Sequence, residues 1–404
     1  MTLWFKVSGM TSAPLSRRGF LTLASAVGVT AVVRPSLAVA ATGPILKPIP
    51  PEWFVAFGTN AEMRWDSVDP RRYRTTQERL FVRNHTATPT IDAASYRLRI
   101  FGDGLRTPRA EADAVSLSLA DLRALPQTSL TAVHECTGNG RRFFAAQQGQ
   151  PAAGTQWSLG SVGTVRWDGV RLRDVLASVG LDAGAVSIQA AGLDDPYVTG
   201  GVDHGRVRRP FPVAKALEDA LLAWGADGDP LLPDHGFPLR LVLPGWVGIA
   251  SIKWLGSLEV STSELTSPWN TKWYRMTGGD FAADSPPLTV NPVRSAWELA
   301  WDATLPARPV RLTGRSWSGA APIARVDVSL DGGRSWRPAV LDRAGRQEQG
   351  WTRWSVQWAH PRPGSHELLA RATDALGRTQ PAVAAYNDNG YFFDAVVRHP
   401  VRVA

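Results

Sequence analysis

The stretch Val133-His134-Glu135-Cys136-Thr137-Gly138-Asn139-Gly140-Arg141-Arg142 contains the only cysteine of the 404-residue chain. A lone cysteine forms no internal disulfide, so it is a buried apolar residue, a reactive thiol or a metal ligand. Position alone favours the first, because free cysteine is among the most buried residue types. Gly138 and Gly140 let the backbone approach a ligand closely, and the neighbouring arginines favour a thiolate and attract an oxyanion. A functional thiol and a structural one are therefore both open at this point.

The composition is typical of a soluble globular protein. Apolar residues make up 44% of the chain and charged residues 20%, which excludes a disordered or membrane-embedded class, and the length suggests two or three domains. The first 40 residues hold four basic and no acidic residues, so the formal net charge falls from +8 for the whole chain to +4 for the remainder. That charge is too mild for nucleic-acid binding, which normally needs clustered Lys and Arg.

Residues 1–40 are predicted to be a twin-arginine signal peptide. Ser16-Arg17-Arg18-Gly19-Phe20-Leu21 carries the arginine pair, Leu21 to Val33 is apolar, and Ala38-Val39-Ala40 is a small-residue cleavage site. The apolar run is too short for an ordinary membrane-spanning helix, and an uncleaved anchor is the alternative. We therefore expect export to the periplasm or another extracytoplasmic space, with no membrane span in the mature chain.

The remainder shows two regions of different pattern. Residues 41–275 mix strands with short helices, such as Leu172 to Val179 before Gly180, and predict an α+β domain. Residues 285–404 alternate as strands, with the turn Asp331-Gly332-Gly333 between two of them, and predict an all-β immunoglobulin-like sandwich. This second region has no cysteine and no dense polar cluster, so packing or dimerisation is its expected role.

Shorter segments of the first region also have a predicted structure. Phe81 to His85 is expected to be a short strand, Ser118 to cap a short helix, and residues 129–133 to form the strand that leads into Cys136. Residues 165–170 are expected to be a hairpin or a bulged strand.

With these motifs placed, the chain resembles the sulfite oxidase family of molybdenum enzymes, in particular bacterial exported sulfite oxidases and sulfite dehydrogenases without a haem domain. The resemblance covers nearly all of the mature chain, and the shared order of the motifs makes it specific. The motifs are Phe81-Val82-Arg83-Asn84-His85, Cys136-Thr137-Gly138-Asn139-Gly140-Arg141, Arg166 to Leu176, Asp234-His235-Gly236-Phe237-Pro238-Leu239-Arg240, Pro244-Gly245, Lys253-Trp254-Leu255-Gly256, Trp269 to Tyr274 and Val328 to Gly333.

The resemblance implies one molybdopterin-type molybdenum cofactor per chain, with Cys136 as the protein's metal ligand. A soft thiolate suits this metal. It also implies that Arg240 and Lys253 bind the cofactor's phosphate as cationic donors. Asp203-His204-Gly205 could be confused with the motif at His235, which we prefer because Phe-Pro-Leu-Arg follows it. The full set of implied cofactor-binding residues is Phe81, Val82, Arg83, Asn84, His85, Asp194, His235, Arg240, Ser251, Ile252 and Lys253.

For catalysis, the resemblance implies that Arg83 and Arg141 hold an oxyanion and that Tyr274 lies beside the metal-bound oxygen. The implied reaction is oxidation of sulfite to sulfate by oxygen-atom transfer. Converging guanidinium groups would attract and orient a sulfite anion. From the residues alone, Arg83 could equally be a surface ion-pair partner and Tyr274 a core residue.

The chain departs from the animal members of the family at Asn389, where they carry an arginine, at a downstream lysine that has no counterpart here, and more mildly at Thr137. Fewer positive charges put the substrate in question, so another sulfur oxyanion, a sulfoxide or nitrate is the alternative. With one cysteine there is no Cys-x-x-Cys-His motif, and no haem-binding domain or flavin or nicotinamide fingerprint is seen. Electrons are therefore expected to pass to a separate partner such as cytochrome c, and a homodimer is expected. A non-catalytic exported binding protein is the alternative from another class.

Overall fold

The computed structural model describes residues 43–342 and 349–404, so the predicted signal peptide lies outside the described residues. Within these two ranges, no helix is both long enough and apolar enough to cross a membrane.

The first region of the chain combines fourteen strands with five short helices. The strands are β1 (Phe54–Phe57), β2 (Asn60–Met63), β3 (Leu98–Phe101), β4 (Val115–Leu117), β5 (Gln127–Glu135), β6 (Val162–Arg171), β7 (Ser187–Gly192), β8 (Val198–Thr199), β9 (Val202–Asp203), β10 (Arg208–Pro212), β11 (Leu221–Ala226), β12 (Asp229–Pro230), β13 (Arg240–Val242) and β14 (Leu255–Ser261). The helices are α1 (Leu119–Arg123), α2 (Arg142–Gln148), α3 (Leu172–Val179), α4 (Val213–Glu218) and α5 (Pro268–Thr271).

Two five-stranded sheets form the framework of this region. One has the order β10-β7-β14-β3-β4, and the other has the order β12-β11-β6-β5 with β13 paired to β11. Helix α3 buries Leu172, Val175 and Leu176 in the main core, because residues three and four apart share one face of a helix. It ends at Gly180, whose φ of +86° suits glycine. The predicted α+β class is confirmed.

The second region is a sandwich of a four-stranded and a five-stranded sheet. Its strands are β15 (Arg294–Trp297), β16 (Ala303–Leu305), β17 (Val310–Trp317), β18 (Ile323–Ser329), β19 (Arg337–Pro338), β20 (Val340–Asp342), β21 (Thr352–Trp358), β22 (Gly364–Asp374) and β23 (His399–Val403). The sheet orders are β15-β17-β21-β20 and β16-β23-β22-β18-β19. Alternating side chains from both sheets fill a shared core that includes Trp297, Val326, Val328, Trp354 and Leu368. The predicted all-β sandwich is confirmed.

Some local predictions hold and others do not. Ser118 caps α1 by accepting from the Asp121 N–H at 3.2 Å. The strand predicted over residues 81–85 does not form, because only Val82 pairs, with Ala61, while its neighbours face a cavity. Residues 165–170 belong to the continuous strand β6 rather than to a hairpin, and the irregular register lies on its partner β11.

A third hydrophobic cluster joins the two regions beside the cysteine. Phe143 and Phe144 of α2 are both buried and pack with Trp317 of β17 and with Phe393 of the C-terminal segment. The ring centroids of Phe144 and Phe393 lie 5.1 Å apart in an edge-to-face arrangement. The helix that follows the Cys136 loop is therefore packed against the second region.

A buried polar network makes the same connection. The Glu135 carboxylate is fully buried and accepts from Trp317 Nε1 at 2.9 Å and from Asn139 Nδ2 at 2.9 Å. Arg294 Nε lies 3.4 Å from the same carboxylate, and Arg294 Nη1 also donates to the Asn139 carbonyl. The residue before Cys136 is thus held by side chains from β15 and β17.

We predict that Arg294→Met destabilises the protein by about 3–5 kcal/mol, because it leaves the Glu135 carboxylate buried without its cation. Urea unfolding monitored by circular dichroism measures the change. The matched control is Arg398→Met, which removes a pair with Glu367 whose side chains are 51% and 49% exposed and should cost at most about 1 kcal/mol. Equal effects of the two substitutions would contradict the interpretation.

Candidate functional site

Cys136 begins the loop between β5 and α2, and backbone hydrogen bonds fix that loop. The Cys136 N–H donates to the Ser161 carbonyl at 2.9 Å, and the Gly140 N–H donates to the Ser158 carbonyl at 2.5 Å. Asn139 Oδ1 accepts from Ser161 Oγ at 2.9 Å. Gly140 has a φ of +83°, a conformation that glycine adopts without strain. The loop therefore presents a free, half-buried thiol on a rigid support.

Two cavities meet at this thiol. Including their open mouths, the inner cavity has a volume of about 700 Å³ and the outer cavity a volume of about 1160 Å³. The residues that line both are Arg83, Asn84, His85, Cys136 and Tyr274. A ligand in the inner cavity and another in the outer cavity could therefore both reach the sulfur.

The inner cavity brings together ten of the eleven predicted cofactor-binding residues. They are Phe81, Arg83, Asn84, His85, Asp194, His235, Arg240, Ser251, Ile252 and Lys253. The exception is Val82, which is buried in a separate cluster with Ile45, Phe54 and Ala61 because successive side chains of an extended segment point to opposite sides. His204 lies outside both cavities and packs on Trp273, with ring centroids 4.6 Å apart. Of the two Asp-His-Gly motifs, it is therefore the one at His235 that reaches the inner cavity.

The walls of the inner cavity concentrate buried positive charge. Arg240 Nη1 donates to the His235 carbonyl at 3.0 Å, and burial lowers the pKa of Arg240 to about 9. Lys253 Nζ donates to the Asp234 carbonyl at 2.8 Å and to Asn84 Oδ1, and burial lowers the pKa of Lys253 well below its ordinary value. Burying these two cations costs free energy. An anion that binds beside them compensates that cost.

Three buried polar atoms of the cavity-lining residues have no hydrogen-bond partner among the described residues. They are Arg240 Nε, Asp194 Oδ1 and Thr137 Oγ1. Arg240 Nε can only donate a hydrogen bond, whereas the carboxylate oxygen Asp194 Oδ1 accepts one. The cavity therefore suits a ligand that has both acidic oxygens and N–H groups. Burial raises the pKa of Asp194 to about 6. This donor and acceptor set fits a pterin that carries a phosphate.

Sequence reasoning missed several residues of this wall. His134 stacks on Phe81 with ring centroids 5.6 Å apart, and its Nε2 lies 3.2 Å from Arg240 Nη2. Asp234 accepts from the Lys47 N–H at 2.6 Å, and Lys47 Nζ lies 3.3 Å from His235 Nε2. The alternation of β5 could have indicated His134, but nothing local links Lys47 to a site almost 190 residues away.

The predicted oxyanion-binding residues converge at the outer cavity. Arg83 makes no hydrogen bond or ion pair with any residue in the described ranges, although it lines both cavities. Arg141 Nε donates to the Asn389 carbonyl and its Nη1 to the Thr155 carbonyl, both at 2.8 Å. A Cβ on Gly138 would lie 2.5 Å from the Arg141 guanidinium, which explains the glycine there.

Tyr274 is held in an unusual conformation at the junction of the cavities. Its φ is +58°, a region that costs free energy for residues other than glycine and occurs at functional sites. Its ring stacks on Tyr391 with centroids 5.1 Å apart and an interplanar angle of 11°. Burial raises the pKa of Tyr274, while Arg83 acts in the opposite direction. The phenol therefore stays protonated at neutral pH and can donate a hydrogen bond.

The second region contributes directly to this site, as the resemblance implied at Asn389, in addition to its expected role in packing or dimerisation. Asn389 and Tyr391, from the segment after β22, line the outer cavity. Asn389 Nδ2 donates to Thr277 Oγ1 at 3.2 Å, and the guanidinium carbon of Arg141 lies 5.6 Å from the centre of the Tyr391 ring. Both regions are required to build the cavity.

Two domain families match the chain in the expected order. Residues 85–269 match the oxidoreductase molybdopterin binding domain, and residues 293–403 match the Mo-co oxidoreductase dimerisation domain. The fold and site thus define a molybdopterin oxidoreductase, and the dimerisation domain suggests a homodimer.

Similar proteins define the family more closely. Sulfite oxidase from Gallus gallus is 36% identical over 332 residues, which cover 77% of this chain and 68% of that protein. Sulfite oxidase from Arabidopsis thaliana is 29% identical over 355 residues, covering 80% of this chain and 87% of that protein. The crystal structure of the sulfane dehydrogenase SoxCD from Paracoccus pantotrophus has a TM-score of 0.71 and 26% identity, with 89% of this chain and 90% of that chain covered. The chain belongs to the sulfite oxidase family.

The match to animal members is partial on their side. The aligned part covers 58% of mitochondrial sulfite oxidase from Homo sapiens, which is 35% identical over 334 residues.

We predict that Arg240→Lys lowers cofactor retention by about 10-fold or more, because lysine keeps the charge but lacks the Nε–H that has no protein partner. Molybdenum and pterin per chain, measured after purification from a host that makes the cofactor, test this. His204→Gln, outside both cavities, is the control and should retain the cofactor. Unchanged loading of the Arg240 variant, with an unchanged melting temperature, would contradict the assignment.

Glu62 supports the Cys136 loop indirectly, through hydrogen bonds to Ser158. It is buried on β2 and accepts from the Ser158 N–H at 2.8 Å and from Ser158 Oγ at 2.9 Å. Burial raises the pKa of Glu62 to about 7, although the hydrogen bonds from Ser158 lower it. Because the Ser158 carbonyl accepts from Gly140, Glu62 holds the segment that fastens the loop.

We predict that Glu62 makes stability fall as the pH rises. Between the ordinary pKa of 4.5 and the folded pKa of about 7, the folded state binds more protons than the unfolded state, so the free energy of unfolding decreases with pH. Glu62→Gln should remove up to about 3 kcal/mol of this decrease. Urea unfolding across this window tests it, with exposed Glu52→Gln as control. An identical decline in the Glu62 variant would refute the role.

Proposed function

We propose that this protein oxidises sulfite to sulfate by oxygen-atom transfer. The observation that carries the proposal is Arg83, a cation without a protein partner in the described ranges, placed beside Cys136 where the two cavities meet. An unpaired cation in a half-buried position is stabilised by an anionic ligand. A small sulfur oxyanion in the outer cavity supplies that charge.

The inner cavity holds the cofactor in this proposal. Cys136 would be the protein's ligand to molybdenum, Arg240 and Lys253 would bind the phosphate, and Asp194 would accept from pterin N–H groups. When bound, the cofactor supplies two-electron oxygen-atom transfer. His235 and His134 add uncharged hydrogen-bonding groups, since burial lowers the pKa of both well below the ordinary range.

The outer cavity orients the substrate. Arg83 and the Nη2 edge of Arg141 hold the oxygens of the anion, and this direction of binding turns the sulfur lone pair toward the cysteine end of the cavity. Tyr274 donates a hydrogen bond to an oxygen at the junction. Fixing the reacting groups in this way removes much of the entropic barrier to transfer.

Electrons leave to a separate carrier in this proposal. The candidate is a cytochrome c in the compartment to which the twin-arginine signal directs the protein, which we propose to be the periplasm or an equivalent space. We further propose that the enzyme works as a homodimer without haem.

A second candidate keeps the cofactor and changes the substrate. Asn389 carries no charge, and its amide is bound to Thr277, so the outer cavity has fewer cations than a dianion would favour. Relatives show that the family's members differ in activity: a nitrate reductase from Hordeum vulgare is 28% identical over 350 residues. Nitrate, a sulfoxide or another sulfur oxyanion is the alternative.

We predict that cofactor-loaded protein reduces ferricyanide or cytochrome c when sulfite is added. We also predict that Cys136→Ser lowers turnover by more than about 100-fold, because replacing residues that only hydrogen-bond to a metal ligand already costs up to about 100-fold. Steady-state rates and the melting temperature are measured together, so that loss of activity is separated from loss of fold. A sulfite rate near background in loaded wild-type protein would favour the second candidate. Retained activity in the Cys136 variant would end both.

A further inference from the structure

The outer cavity is larger and more aromatic than sulfite requires. Its accessible volume is about 480 Å³, which lies within the roughly 300–1000 Å³ of pockets that hold a drug-sized organic ligand. Five aromatic side chains line it, namely Trp157, Tyr197, Trp273, Tyr274 and Tyr391. Tyr197 and Trp273 are only half-buried and pack together with ring centroids 5.7 Å apart. A cavity for a small inorganic anion alone gains nothing from such a wall.

The charge of the same cavity suits a monoanion. Arg141 already donates Nε and Nη1 to backbone carbonyls, so Arg83 is the lining cation without a protein partner in the described ranges. Asn389 is neutral, and no aspartate or glutamate is among the described residues that line the cavity. The whole guanidinium of Arg83 and the Nη2 edge of Arg141 match a ligand with one negative charge better than a ligand with two.

We infer that the outer cavity also accepts organic sulfinates, R–SO₂⁻, in which R is an aromatic or apolar group, and that the enzyme oxidises them to sulfonates. The inference rests on the oxygen-transfer function proposed above. A sulfinate carries one negative charge for Arg83, a sulfur lone pair that can accept oxygen, and an organic group for the aromatic wall. A sulfonate has no lone pair on sulfur, and a sulfoxide has no charge for the guanidinium.

The reaction balances with a one-electron acceptor as oxidant. Overall, R–SO₂⁻ and water give R–SO₃⁻, two protons and two electrons. One S–O bond forms, the two O–H bonds of water break, and sulfur loses the electron pair. The protons go to solvent, and two equivalents of ferricyanide, or of the protein electron carrier, each take one electron.

Within the cavity, the two ends of the molecule have separate binding partners. The SO₂⁻ group lies toward Arg83, which also borders the inner cavity and Cys136. The R group lies toward the half-buried rings of Trp273 and Tyr197, which line the cavity and offer it apolar contact. Trp273 is therefore a specificity-determining residue for the organic group and has no partner in a sulfite molecule.

The kinetic test compares benzenesulfinate with sulfite, using ferricyanide and loaded enzyme, with benzenesulfonate identified by mass spectrometry. We expect the kcat/KM of benzenesulfinate to lie within about 10-fold of that of sulfite. Trp273→Ala should lower the ratio of the two kcat/KM values by about 3- to 10-fold, the size of one aromatic contact. Trp301→Ala, which removes a partly exposed tryptophan of the second region, is the control and should leave the ratio unchanged.

A binding measurement makes the test independent of turnover. The fluorine NMR signal of 4-fluorobenzenesulfonate should broaden when protein is added, and broaden less with Trp273→Ala of equal melting temperature. Oxidation of sulfite without oxidation of benzenesulfinate would overturn the inference and leave the proposed function standing. Absence of both oxidations in loaded enzyme would overturn the two together. A sulfonate signal that never broadens would show that the cavity does not bind the organic group.

Discussion

The buried carboxylate of Glu135 links Cys136 to both regions of the molecule. It precedes Cys136 in the chain, and its hydrogen-bond partners include Trp317, with Arg294 as its counter-ion. A buried carboxylate is stable only when its oxygens are paired and its charge is compensated. Because those partners belong to the sandwich, the position of the cysteine depends on the second region. A protein of this design cannot assemble its site from the first region alone.

The inner cavity illustrates how a folded chain can hold charges that are unfavourable until a ligand arrives. Lys253 and Arg240 are buried, and burial lowers the pKa of each. Arg240 Nε and Asp194 Oδ1 have no hydrogen-bond partner among the described residues. A ligand that binds only the folded state adds its binding free energy to stability. The cofactor is therefore expected to be part of the folded structure as much as part of the chemistry.

The outer cavity separates two aspects of substrate choice. In the proposed function, the guanidinium of Arg83 selects for negative charge, and the aromatic wall around Trp273 is inferred to select for size and shape. Asn389 and Tyr391 come from the same short segment near the C-terminus, so substitutions in that segment can change charge and shape selection together.

The sequence by itself determined the fold class and the order of the two regions, because these depend on local patterns, and its resemblance to the sulfite oxidase family implied most of the cofactor cavity. Cys136, Arg240 and Lys253 were all recognisable in this way. Tertiary structure alone decided that Val82 faces away from the cavity, that Phe81 to His85 lines it instead of forming a strand, and that Lys47 and His134 support its wall. It also decided that Arg83 has no hydrogen-bond or ion-pair partner within residues 43–342 and 349–404, whereas Arg141 donates two of its N–H groups to backbone carbonyls. The physical reason is that burial, pairing and desolvation depend on residues brought together from distant parts of the chain, which no local pattern encodes.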